Sequence, residues 1–144
     1  MAFFGLFKPK RAIDKASDKC FKADLALMTE LLMFYESHKA VGTELTLTED
    51  DLAFLDGLLI NTVPKLDPAD RETTCTGVAV FYGALVTMTL GGKWSRADKG
   101  EYAVEDIGKG RVSVNPFEIV RSVINSGGAR TLRSEYSELK EKVG

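Results

Sequence analysis

Residues 67–92 read Asp67-Pro68-Ala69-Asp70-Arg71-Glu72-Thr73-Thr74-Cys75-Thr76-Gly77-Val78-Ala79-Val80-Phe81-Tyr82-Gly83-Ala84-Leu85-Val86-Thr87-Met88-Thr89-Leu90-Gly91-Gly92. From Thr73 onward the stretch carries no charge, and its length is enough to cross a bilayer. Five of those twenty residues are threonine and four are glycine, so the run is only weakly hydrophobic. No other segment would partner it in lipid. The reading that fits is the central core helix of a packed domain. Asp67 caps it and Pro68 takes the first helical position, where a missing N–H costs nothing. Val78, Val80, Phe81, Tyr82, Leu85, Val86 and Met88 leave no polar face, which predicts burial on most sides. Gly77 and Gly83 each cost about 1 kcal/mol against alanine in a helix. The expected compensation is close approach of another backbone. Gly91-Gly92 supplies the left-handed geometry that ends the helix.

Upstream, the spacing of Phe21, Leu25, Met28, Leu32 and Tyr35 predicts one helix over 14–38, with Leu27, Leu31 and Phe34 widening its stripe. Residues 39–47 read as a loop. Thr48-Glu49-Asp50-Asp51 announces a second helix, capped by Thr48 and favoured by acids at the positive end of its dipole. Leu52, Leu55, Leu58 and Leu59 form its apolar face. Pro64 predicts its end near Thr62.

Downstream, the hydrophobic period changes from 3.6 to 2. Trp94 opens a short strand, and Asp98-Lys99-Gly100 is a turn. Tyr102 and Val104 face one side of a second strand, with Glu101, Ala103 and Glu105 on the other. Gly108-Lys109-Gly110 turns into a third strand carrying Val112 and Val114. Three short strands joined by tight turns predict an antiparallel meander. Asn115-Pro116-Phe117-Glu118 is a helix start, with Glu118 placed to close a capping box. Phe117, Val120, Val123 and Ile124 are its buried stripe, and Asn125-Ser126-Gly127-Gly128 its stop. A last helix, from Thr131 to Lys142, buries Leu132, Tyr136, Leu139 and Val143. The fold class is therefore α+β: helices around a long central helix, with a three-stranded antiparallel meander. Residues 1–12 read as a tail and 13–144 as a single domain.

A chain of 144 residues has no room for two independent cores. With 44% hydrophobic and 28% charged residues it is globular, not disordered. Its 19 basic and 21 acidic residues give a net charge of −2, which argues against nucleic acid as a partner. Two cysteines and one histidine are too few for the common four-ligand zinc sites. Cys20 and Cys75 read as free buried thiols. The N-terminus places its charges (Lys8, Lys10, Arg11) after an apolar run ending at Phe7, the reverse of a signal peptide, so a cytoplasmic protein is expected. That run, with Phe3, Phe4 and Leu6, would bind a membrane surface only marginally, so no stable membrane insertion is expected.

Chemistry-bearing patterns are sparse. Gly91-Gly92-Lys93-Trp94 runs from helix to strand, opposite to a phosphate loop. His38, the sole candidate base for a nucleophile, sits among polar residues near a helix C-terminus, where it complements the dipole. The acids gather at helix starts, where capping accounts for them. Asn115-Pro116-Phe117 is also a peptide motif that some adaptor domains bind, but the helix-start role explains each residue. Trp94, Arg96 and Tyr102 are the residue types enriched at interface hot spots, although the two aromatics also suit a core role.

Gly83-Ala84-Leu85 leading to Leu90-Gly91-Gly92-Lys93-Trp94, then Tyr102-Ala103-Val104 and Val114-Asn115-Pro116-Phe117, resembles a group of small bacterial proteins of unknown function. The resemblance covers residues 77–128 and implies a bacterial α+β domain without an established reaction or catalytic residues. The expectation is a non-catalytic module with no cofactor or metal that binds another protein through Trp94, Arg96 and Tyr102. An immunity or accessory protein to a toxin or secretion system is one form of it, and a homodimer is compatible. The alternative is a small hydrolase or transferase using carboxylates in a cleft by the sheet.

Overall fold

The computed structural model describes residues 11–96 and 102–144. The predicted turn at Asp98-Lys99-Gly100 and most of the N-terminal tail lie outside the described residues. Among the described residues, six α-helices and one three-stranded sheet make an α+β fold. Helices α1 (Ala12–Phe21) and α2 (Leu25–Ala40) come first, followed by a helical passage containing α3 (Leu52–Gly57). Then come α4 (Pro68–Leu90), strands β1 (Lys93–Arg96), β2 (Tyr102–Ile107) and β3 (Val112–Val114), and helices α5 (Pro116–Asn125) and α6 (Leu132–Val143).

Helix α4 is the axis of the molecule. It packs against α1, α2, α5, α6 and the strands β1 and β2. Every residue from Gly77 to Thr87 is buried, as expected of a helix apolar on all sides. By length and composition α4 could cross a membrane, but 61% of its most apolar window is buried within the protein. The Asp67 carboxylate accepts the Asp70 amide at 2.9 Å, the predicted cap. Gly91 and Gly92 have φ of +92° and +99°, so the helix ends where glycine alone is unstrained.

The expected close backbone approach at Gly77 and Gly83 is corrected. Side-chain rings occupy the space instead: Phe34 of α2 lies against Gly77, and Trp94 of β1 lies against Gly83. Flat rings need a surface without a Cβ as much as a second backbone would.

The single helix predicted over 14–38 is two. The chain breaks at Lys22–Asp24, where the Asp24 carboxylate accepts the Leu27 amide at 3.1 Å and starts α2 afresh. Helical spacing from Phe21 to Leu25 hides this break, because a four-residue step fits either side of it. The break also changes the buried face: Leu27, Leu31, Phe34 and Tyr35 point inward while Leu25 is 73% exposed. Helix α2 runs on to Ala40, into the predicted loop.

The second predicted helix also differs. It opens as a 3₁₀ turn over Glu49–Asp51, becomes α3, widens to a π turn over Leu58–Thr62 and closes as 3₁₀ over Val63–Lys65. Pro64 sits near the start of that last turn, where no amide donor is required of it, so helical backbone continues past Thr62.

The meander runs β1-β2-β3, antiparallel throughout. Trp94 lies opposite Val104 and Arg96 opposite Tyr102. An irregularity in β2 between Val104 and Ile107 includes Asp106 at φ +55°; it turns both Val104 and Ile107 into the core. Asn115 caps α5, its Oδ1 accepting the amides of Phe117 (3.0 Å) and Glu118 (3.3 Å). The reciprocal bond expected of Glu118 is not formed among the described residues; the capping box is at α6, between Thr131 and Ser134.

Candidate partner-binding surface

Trp94, Arg96 and Tyr102 come together at one end of the β1–β2 hairpin. The glycine-ended turn out of α4 starts β1 so that Trp94 faces inward. A Cβ at Gly92 would meet the Glu105 carbonyl at 2.8 Å, so only glycine lets the hairpin sit this close. Trp94 is half-buried. Its ring lies 5.0 Å from the Phe21 ring and 6.3 Å from the Tyr102 ring, centre to centre. Tyr102 in turn stacks at 6.0 Å on Phe117 of α5. The Arg96 guanidinium lies 5.4 Å above the Tyr102 ring, within cation–π range, and Arg96 is exposed.

Trp94 therefore belongs to the core as much as to the surface, wedged between α4, α1 and the sheet. Its Nε1 is buried with no hydrogen-bond partner. Arg96 is the exposed member of the trio, and Tyr102, like Trp94, is half-buried. Beside them lies a cleft of about 230 Å³ whose walls include Cys20, Phe21, Asp24, Trp94, Arg96 and Tyr102. Sequence reading missed the contribution of Cys20, Phe21 and Asp24. They reach the hairpin because of the α1–α2 break, and Asp24 as a helix cap was the one local signal for it. Burial pushes the Cys20 thiol up to about 11, with Thr87 pulling it back in part, so this wall of the cleft is a neutral thiol rather than a thiolate at neutral pH. Cys20 and Cys75 are both free and half-buried.

The other ionisable candidates lie apart from this cleft and are tied to structural partners. His38 does not sit among polar groups as expected. Its ring is held between those of Phe34 (4.5 Å) and Phe54 (5.3 Å), and burial lowers its pKa, so it does not serve the helix dipole as a cation at neutral pH. Asp51 is buried and accepts the Thr46 and Leu47 amides, at 2.9 and 2.6 Å. Asp56, also buried, accepts the amides of Leu132 and Arg133 at the start of α6. Burial raises the Asp56 pKa, opposed by those two amides and the Arg133 charge. A broader polar groove of about 1180 Å³ runs between the start of α3 and α6, lined by Glu49, Asp50, Asp56, Arg133, Ser134 and Glu138 among others. Its one buried acid, Asp56, is occupied by the α6 amides. Among the described residues no three or more His, Cys, Asp or Glu side chains are grouped to hold a metal ion.

Compared with protein-family models, with curated proteins and with solved structures, the chain finds no match. The functional reading rests on this geometry.

Proposed function

We propose that the protein is a cytoplasmic, non-catalytic binding module whose partner is another protein, docked on the hairpin around Arg96 and Tyr102. The observation that carries this reading is the layering of the trio. Trp94 is clamped from below by Gly83 and Phe21, and Tyr102 is braced by Trp94 and Phe117. Arg96 is presented on top of that rigid aromatic base. A pre-ordered arginine and aromatic pair loses little side-chain entropy on binding, which is what hot spots require. The fixed cation suits a partner segment bearing a carboxylate at the contact. An immunity or accessory protein of a bacterial toxin or secretion system is a concrete form of this reading. The net charge of −2 supports a protein rather than nucleic acid, and the burial of α4 supports a role without stable membrane insertion.

The test is a pull-down with the wild type, Arg96→Glu and His38→Ala as parallel baits. The expected result is a specific bound protein that is lost with Arg96→Glu and kept with His38→Ala, all three melting cooperatively. Loss with His38→Ala while Arg96→Glu still binds would reject the binding surface.

A further inference from the structure

Charge is distributed very unevenly along this chain. Residues 1–22 hold six basic and two acidic residues, while 23–144 hold 13 and 19. Arg11, the residue before α1, is committed within the fold: it donates to Asp14 at 2.9 Å and to Glu36 of α2 at 2.8 Å. Lys15, Lys19 and Lys22 are not. They recur at helical spacing, and Lys22, the C-cap of α1, keeps right-handed helical backbone. The three therefore share one face of α1, opposite the buried Ile13, Ala16, Ser17 and Phe21. All three are exposed, and none forms an ion pair among the described residues. Asp18 stands among them, which leaves the face net positive. At 1.5 Å per helical residue the strip from Lys15 to Lys22 is about 10 Å long.

We propose that this lysine face and the apolar run Phe3-Phe4-Gly5-Leu6-Phe7 together seat the protein reversibly on an anionic membrane surface. The lysines meet lipid headgroups, and the run meets the boundary between headgroups and acyl chains. The run alone binds a bilayer only marginally, because lasting attachment takes a second signal such as a basic patch. The fold of α1 supplies that patch by gathering three lysines that the sequence spreads over eight positions. Lys8 and Lys10 lie between the two signals in sequence and add to the same charge. Phe7 is four residues from Arg11, a reach of up to about 14 Å, so the run and the lysine face can touch one plane. The occupant is lipid rather than nucleic acid because Phe3, Phe4, Leu6 and Phe7 offer apolar area for acyl chains, and the rest of the chain is acidic. The attachment is peripheral and leaves α4 in the core. None of the three lysines lines the cleft beside Arg96, so this surface is separate from the one proposed for a protein partner.

The test is co-sedimentation of the full chain with phosphatidylcholine vesicles, with and without about 30% phosphatidylglycerol. Binding to the anionic vesicles alone is expected, falling as salt rises from about 0.1 M to 0.5 M and screens the charges. Lys15→Gln, Lys19→Gln and Lys22→Gln combined are expected to lower the partition coefficient about a hundredfold, at about fivefold per lysine, with the melting temperature unchanged. Phe4→Ser with Phe7→Ser is expected to weaken binding as well, while Arg96→Glu binds as the wild type does. A wild type that does not bind the anionic vesicles overturns the proposal. So does binding of undiminished strength by the lysine variant or by the phenylalanine variant, because the attachment needs both signals. Tighter binding to RNA than to the anionic vesicles also overturns it, because the face would then serve nucleic acid.

Discussion

The Leu132 amide donates to the Asp56 carboxylate at 2.6 Å, joining residues 76 positions apart. The Arg133 amide reaches the other oxygen of the same carboxylate at 3.3 Å. Two of the unpaired donors that every helix start carries are thus satisfied by a side chain from α3. Leu132 itself is fully buried, so water has little access to replace that bond. Asp56→Ala is expected to lower stability by about 1–3 kcal/mol, with Asp56→Asn milder because an amide oxygen still accepts. Urea unfolding of both variants checks this; an unchanged midpoint for Asp56→Ala would show that the two bonds contribute nothing.

Gly83 and Gly57 predict opposite signs for the same substitution. At Gly83 a methyl group would enter the ring of Trp94, with Pro116 beside it at 3.0 Å. The tryptophan is pinned by Phe21 and cannot swing clear. Gly83→Ala should therefore destabilise by about 1–3 kcal/mol, as overpacked cores do, and shift the tryptophan fluorescence. At Gly57 the backbone is helical and nothing lies within 4 Å of a new Cβ. Gly57→Ala should stabilise by up to about 1 kcal/mol. Thermal melts of the pair read both signs; a stabilised Gly83→Ala would contradict the ring contact.

His38 carries a pH signature. Burial between Phe34 and Phe54 lowers its folded pKa below the ordinary 6.5. Below that pH the unfolded chain takes up a proton that the folded chain resists. Its contribution to stability is complete above pH about 6.5 and declines as pH falls toward the lowered folded value. In His38→Phe this part of the pH dependence should vanish, while that from the carboxylates, common to both chains, remains. Melting temperatures of the two proteins from pH 8 to pH 5 are expected to converge or cross as pH falls, the wild type losing more. Parallel curves would refute a lowered histidine pKa.

Asn115 separates a cap from a peptide motif. Its side chain holds the Phe117 and Glu118 amides, so Asn115→Ala should cost about 0.5–2 kcal/mol. Full stability combined with loss of a bound partner would make the Asn115-Pro116-Phe117 run a recognition motif instead.

Much of the architecture was legible because it is local. Asp67-Pro68, Gly91-Gly92 and Asn115-Pro116 mark boundaries through dihedral preference and missing donors, and each boundary lies where those residues require it. The change of period after Trp94 identified the meander. What escaped was information that local spacing cannot hold. A four-residue step from Phe21 to Leu25 looks the same with or without a break. The helical passage through Pro64 depends on backbone continuing in a tighter form.

The candidate site divides in the same way. Trp94, Arg96 and Tyr102 stand out in the sequence by residue type, and strand alternation puts Trp94 and Arg96 on one face of β1. Their distances, and which of them stands exposed, were settled by the packing of α1 and α5 around the hairpin. Asp56 shows the limit most plainly. In the sequence it is one more acid among helix residues. It becomes a second acceptor at the start of α6, beside the Thr131 cap, because folding brings distant amides to its carboxylate. Backbone dihedral preferences and apolar period act over a few residues, so the chain order carries them. A donor and acceptor far apart along the chain meet only when the core around α4 has closed between them.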